Sequence, residues 1–181
     1  MTRRKPEHIV KWPWNVPLAI ADVPETGKHL DIPADEQARA AIAALAELRA
    51  LPRLEASFDV TLRGRDGLRV TGEVSATVGQ VCVVTLEPVD NEVDEDIDLA
   101  FAPGATAPLR PGGAESEEGP EPLINGMVDL GAIATEFLLL ALDPYPRKPN
   151  AVFEAPVEAH DGGHPFAALA ALKKAQGGTG G

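Results

Sequence analysis

The residue with the widest choice of chemistry is Cys82, the only cysteine of the chain, set in Gln80-Val81-Cys82-Val83-Val84-Thr85-Leu86-Glu87-Pro88. A thiol there can be half of a metal knuckle, a nucleophile, or core filling. A structural zinc ion takes four ligands, usually Cys and His pairs at close spacing. Thr85 stands where a C-x-x-C knuckle would place its second thiolate, and His8, His29, His160 and His164 are scattered. No metal or other cofactor is expected. A nucleophilic thiol needs a nearby histidine or helix N-terminus to lower its pKa. Between two valines, Cys82 instead reads as a small inert hydrophobe. A metal- or thiol-dependent enzyme using Cys82 is therefore the second reading, and a non-catalytic protein the first.

Carboxylates are the other candidates. Asp94, Asp96 and Asp98 recur at alternate positions, which puts all three on one side of a strand. They repel one another, so they are either solvated or waiting for a cation or a basic partner; no EF-hand glycine or closing glutamate follows them. Glu136 with Asp129 or Asp143 has the look of an acid-base pair. The spacing is better explained by Asp129 capping a helix and Glu136 forming a salt bridge. None of the phosphate-loop, dinucleotide, nucleophile-elbow or H-E-x-x-H patterns occurs.

Charge narrows the partners. The 181 residues carry 28 acids and 16 Lys or Arg, a net charge of −12. Such a balance opposes wrapping a polyanion, because phosphate binding rests on Lys and Arg displacing counterions. Residues 82–122 hold eleven acids against Arg110 alone, while residues 1–11 are net +3. A basic protein or ribonucleoprotein is the expected partner, and direct RNA contact is open only to a local basic patch. The start of the chain lacks the apolar run of a signal peptide, and no stretch reaches the ~18 apolar residues of a membrane span. A cytoplasmic protein with no membrane partner is expected, and one cysteine suits a reducing compartment.

Several elements must position these groups. Residues 1–11 read as a flexible basic arm, followed by Trp12 and Trp14, which read as packing the arm onto the domain, with an exposed anchor for a partner as the alternative. Val16–Ile20 reads as a short edge strand. Helical spacing of Ala38, Ile42, Leu45, Ala46 and Leu48 predicts a helix over 33–51, stopped by Pro52. The period then becomes two: residues 54–62 and 68–78, joined by Arg63-Gly-Arg-Asp-Gly67, form a hairpin with one wet face. Gly79 permits a bend or bulge. Residues 81–86 are apolar on both parities and predict a strand covered on both faces. Residues 93–101 predict another, with Val93, Ile97, Leu99 and Phe101 inward.

Residues 102–122 are rich in Pro, Gly and Glu and read as a disordered acidic loop. Asp129 then opens an apolar helix whose buried stripe is Leu130, Ile133, Phe137, Leu138, Leu140 and Ala141, with Glu136 among them, and Pro144 ends it. Asp143-Pro-Tyr-Pro-Arg147 is a rigid exit. Residues 156–181 read as a flexible tail with a short amphipathic piece at 165–174. The expected class is α+β: an antiparallel, partly closed sheet on two main helices, in one domain over 12–155.

Val81-Cys-Val-Val-Thr-Leu-Glu-Pro88, taken with Val128-Asp-Leu-Gly131, Glu136-Phe-Leu-Leu-Leu140 and Asp143-Pro-Tyr-Pro-Arg147, resembles the YceD family, named for accumulation of large-subunit ribosomal RNA. The resemblance spans roughly residues 12–153 and rests on Cys82, Thr85, Leu86, Glu87, Pro88, Asp129, Leu130, Glu136 and Pro144 as a set. It implies a bacterial, non-catalytic factor supporting synthesis, processing or stability of 23S ribosomal RNA. Many relatives carry a C-x-x-C where this chain has Cys82 and Thr85, so a metal role does not transfer. Combined with the charge pattern, the candidate partner surfaces are Asp94, Asp96 and Asp98 on the strand and Asp143, Tyr145 and Arg147 on the exit.

Overall fold

Two long strand pairings organise the chain. A computed structural model describes residues 12–105 and 119–153. The chain divides into two units, Met1–Ala151 and Val152–Gly181, and of the second only Val152 and Phe153 are described. The basic arm 1–11, the greater part of the acidic loop and the tail from 154 onward lie outside the described residues.

The first unit runs β1 (Pro17–Ala19), a single 3-10 turn, β2 (Lys28–Pro33), α1 (Glu36–Leu45), β3 (Ala50–Arg63), β4 (Gly67–Val81), β5 (Pro88–Ala102), β6 (Glu121–Pro122), β7 (Met127–Asp129) and α2 (Leu130–Ala141). β1 and β7 pair alone; the other strands form one sheet in the order β2-β3-β4-β5-β6. All its ladders are antiparallel except the short β5–β6 pair. The class is α+β, with β2 and β6 as the sheet edges.

Alternation decides which face is buried. Leu54, Ala56, Phe58 and Val60 of β3 lie inward beside Val70, Val74, Ala76 and Val78 of β4, with Val93 and Ile97 of β5 next in line. α1 covers this face over β3, and α2 covers it over β4 and β5. Gly72 has β3 directly against it: a Cβ there would lie 2.0 Å from the Ser57 carbonyl oxygen. Only a residue without a side chain fits.

Asp129 begins α2 as expected, its carboxylate accepting from the Gly131 and Ala132 amides. The same carboxylate accepts from the Val16 amide at 2.8 Å and from the Asn15 side chain, so the cap also ties down the entering chain. Trp14 is buried beside Gly131, where a Cβ would meet its carbonyl oxygen at 2.6 Å.

Several boundaries differ from the sequence expectation. α1 ends at Leu45, not 51, and Leu45 faces solvent instead of the core. The Leu48 amide bonds the Ala43 carbonyl while Glu47 takes φ +54, the 6→1 closure that normally carries glycine. Pro52, read as the helix stop, lies inside β3. β2 was not signalled, because its inward residues Leu30 and Ile32 are only two and half-buried. Gly79 stays in β4, and the register irregularity falls on β3 between Ala50 and Arg53. Glu121 and Pro122, expected in the loop, pair with Phe101 and Ala102. On α2, Leu140 and Glu136 are exposed, and Ala134 and Thr135 occupy the buried stripe with Leu130, Ile133 and Leu138. No ion pair reaches Glu136 among the described residues.

Candidate functional site

The wet face of β2–β5 is the mirror of the core face, and register builds it row by row. Asp31, Ser57, Glu73 and Asp96 form one row; Pro33, Glu55, Ser75 and Asp94 form the next. Between these rows lies a groove of about 510 Å³ lined by Asp31, Glu55, Ser57, Glu73, Ser75 and Asp94. Four carboxylates and two serines among these residues make it acidic.

Among the described residues, cationic side chains reach it at its ends. Arg53 reaches Glu55 at 2.8 Å and Glu92 at 2.7 Å, and its guanidinium also donates to Ser75 and Thr77. That contact holds Glu92 below the usual carboxylate range. At the opposite end His29 sits between Asp59 at 2.8 Å and Asp31 at 3.3 Å, and the hydrogen bond to Asp59 chiefly raises its pKa. Glu73, Asp94 and Asp96 form no ion pair among the described residues. Glu73 and Asp96 face each other across the ladder, an unfavourable pairing when both are charged.

The expected aspartate row is therefore real as a face but not uniform. Asp98 is gripped by both forks of Arg69, at 3.0 and 2.8 Å, which lowers its pKa. Asp94 and Asp96 are left without a counter-charge. Glu55 and Glu73, on the wet face of the expected hairpin, and Asp31 of the unforeseen β2 join them across the ladders.

The second candidate surface lies elsewhere. Residues 81–86 are not the expected two-faced strand: β4 stops at Val81, and Cys82–Glu87 is a tight loop leading into Pro88. The Cys82 amide donates to the Glu87 carbonyl and the Leu86 amide to the Cys82 carbonyl. The Cys82 side chain is wholly buried, beneath the chain that leaves α2. Its sulfur accepts from the Thr85 amide at 3.5 Å and from the Lys148 amide at 3.4 Å, across 66 residues of chain.

The exit segment closes over this loop. The Val83 amide donates to the Pro146 carbonyl, Gln80 to the Asp143 carbonyl, and Lys148 pairs with Glu87 at 2.9 Å. The Asp143 carboxylate accepts from the Tyr145 amide, fixing the turn. Tyr145 and Arg147 point outward, and Pro144 keeps the segment extended.

The Thr85 hydroxyl is buried and makes no well-formed hydrogen bond. Its interaction with the sulfur is nevertheless the largest cause bringing the Cys82 thiol from 9.0 down to about 6, followed by the Lys148 and Thr85 amides. The thiolate is thus held as an acceptor with no solvent access, which suits a clasp and not a nucleophile. Among the described residues no three His, Cys, Asp or Glu side chains are grouped to hold a metal ion. No helix among the described residues is long and apolar enough to cross a membrane.

Comparison with known proteins agrees with this arrangement of segments. The family model described as large ribosomal RNA subunit accumulation protein YceD matches residues 70–173, more than half of the chain. The match begins at β4 and takes in the Cys82 loop, the aspartate strand, α2 and the exit. No curated protein and no solved structure matches significantly. The chain belongs to the YceD family.

Proposed function

We propose that this member of the YceD family supports accumulation of 23S ribosomal RNA as a non-catalytic cytoplasmic factor, by holding a basic protein or ribonucleoprotein partner in large-subunit assembly. The observation that carries this is the acidic groove with the row beside it, where Glu73 and Asp94 in the groove and Asp96 next to Glu73 have no ion-pair partner among the described residues. Unpaired like charges on one face favour a ligand of opposite sign, which gains Coulomb energy and relieves their mutual repulsion. A net charge of −12 further steers such a partner and repels naked RNA.

Binding is preferred to catalysis because the candidate nucleophile, Cys82, has no accessible surface. Loss of the gene should lower the ratio of 23S to 16S ribosomal RNA; an unchanged ratio would remove the pathway. A pull-down at moderate salt should recover protein or ribonucleoprotein, and recovery should fall in a Glu73→Gln, Asp94→Asn, Asp96→Asn variant. Recovery of naked RNA alone would contradict the reading.

A further inference from the structure

The loop that the Cys82 sulfur holds presents hydrocarbon to solvent. Leu86 is 77% exposed, Tyr145 70%, Val81 46% and Val83 44%. Leu86 also takes φ +58, a left-handed conformation that a bulky residue adopts at a cost. Glycine would make the same turn without strain. The loop thus spends conformational energy on an outward leucine, and it is not free to fold that leucine away. The Cys82 amide, the two amides on its sulfur, the Val83–Pro146 bond and the Lys148–Glu87 pair fix the loop from both sides. A strained, rigidly mounted and exposed apolar residue is an arrangement associated with recognition sites.

The size of the patch limits what covers it. These side chains offer on the order of 400 Å² of apolar surface. A stable pair of identical chains needs about 800 Å² on each partner, so a second copy is not the occupant. Position then selects among other partners. By alternation Val81 lies on the same face of β4 as Glu73 and Ser75, and it pairs with Pro88 as Ser75 pairs with Asp94. Six residues along the strand, roughly 20 Å at extended rise, separate the groove from the patch.

The geometry points to a two-part docking track, its parts separated by the Arg53–Glu92 and Arg49–Asp90 pairs, for a protein segment that is basic along part of its length and apolar about six extended residues away. Its cations would enter the groove, and its apolar side chains would seat on Leu86, Val83 and Tyr145. This rests on the acidic groove as a partner site and adds the chemistry and length of the partner. Charge complementarity favours a protein segment over RNA, whose phosphates would meet Glu73, Asp94 and Asp96.

Two fluorescein-labelled synthetic peptides of twelve residues test the track by anisotropy with the full chain. Both carry the same Lys-Ser cluster; one ends in a Leu-Phe pair six residues on, the other in Ser-Ser. The Leu-Phe peptide should bind about tenfold tighter, a difference of about 1.4 kcal/mol. Leu86→Gly, which suits the backbone and should keep the fold by thermal melting, should abolish that advantage while leaving the Ser-Ser peptide unchanged. Leu86→Met should retain it.

Equal binding of the two peptides, or an advantage that survives Leu86→Gly, overturns the inference and leaves the groove reading standing. If neither peptide binds, both readings fall. A single-stranded 23S-derived oligonucleotide whose affinity drops on Leu86→Gly would overturn it in favour of nucleic acid. A dimer dissolved by the same substitution would overturn it in favour of self-association.

Discussion

In the middle of the β4–β5 ladder, around Gly72–Val74 and Glu95–Ile97, the register is regular, and on β4 buried Val74 and Ala76 alternate with outward Glu73 and Ser75. At the end of the same ladder, from Val81 to Pro88, alternation stops, and a buried sulfur and a distant segment hold the chain. The middle exposes charge on a regular scaffold; the end exposes hydrocarbon on an irregular one. Regular ladders satisfy their own backbone, so their outward positions are free to carry carboxylates. The loop cannot satisfy itself, so its outward positions depend on who supplies the remaining hydrogen bonds.

The sharpest way to break the middle is Gly72→Ala. With a Cβ 2.0 Å from the Ser57 carbonyl oxygen, β3 and β4 must part. We expect a loss of about 3 kcal/mol or more in urea denaturation. A loss under about 1 kcal/mol would mean that the strands are not as closely set as described.

The end should give a smaller effect. Cys82→Ala removes the buried acceptor of two amides, and a cost of about 2 kcal/mol is expected. The pH dependence separates this from simple cavity formation. The thiol is held at about 6 in the fold against an ordinary 9.0, so the folded state loses its proton first. Its stabilisation is therefore fully present above pH 9.0 and is lost as pH falls through about 6. His29 contributes in the opposite sense: its raised pKa adds stability below 6.5 that fades as pH rises past its folded value. Thermal melts of the protein against Cys82→Ala isolate the thiol, since His29 is common to both. A pH-independent difference would show that the sulfur is a neutral filler. Despite its acidity the native thiol should react slowly with iodoacetamide at pH 8, because it is wholly buried.

Leu86→Gly should move stability the other way, by about +1 kcal/mol, as the left-handed strain is released. A loss instead would show that the leucine packs within the loop. The smallest effect belongs to the groove. Replacing Glu73, Asp94 and Asp96 by their amides should change stability by no more than about 0.5 kcal/mol. Partner capture should nevertheless fall. If stability collapsed, these carboxylates would be part of the scaffold and not a binding face.

What was legible in the sequence follows the same division. The β3–β4 hairpin, the outward Asp94, Asp96 and Asp98, and the Asp129 cap each rest on a period or a local hydrogen bond, and each was readable within a few residues. The end of α1 was not, because Glu47 takes the position at which glycine would have announced the stop. β2 was not, because Leu30 and Ile32 alone carry its pattern. Residues 81–86 were misread for a related reason: apolar residues on both parities normally mean burial on both faces, whereas here several face solvent.

By itself, then, the sequence determined the α+β class, the antiparallel hairpin, the outward acids and the family, since these depend on alternation, capping and local segment identity. Tertiary structure alone decided that Glu55, Glu73 and Asp31 meet Asp94 across three ladders. It also decided that Asp98 is neutralised by Arg69, and that Lys148 completes the environment of Cys82. Those pairings are set by strand register and by a chain returning after 66 residues, distances over which no local period carries information.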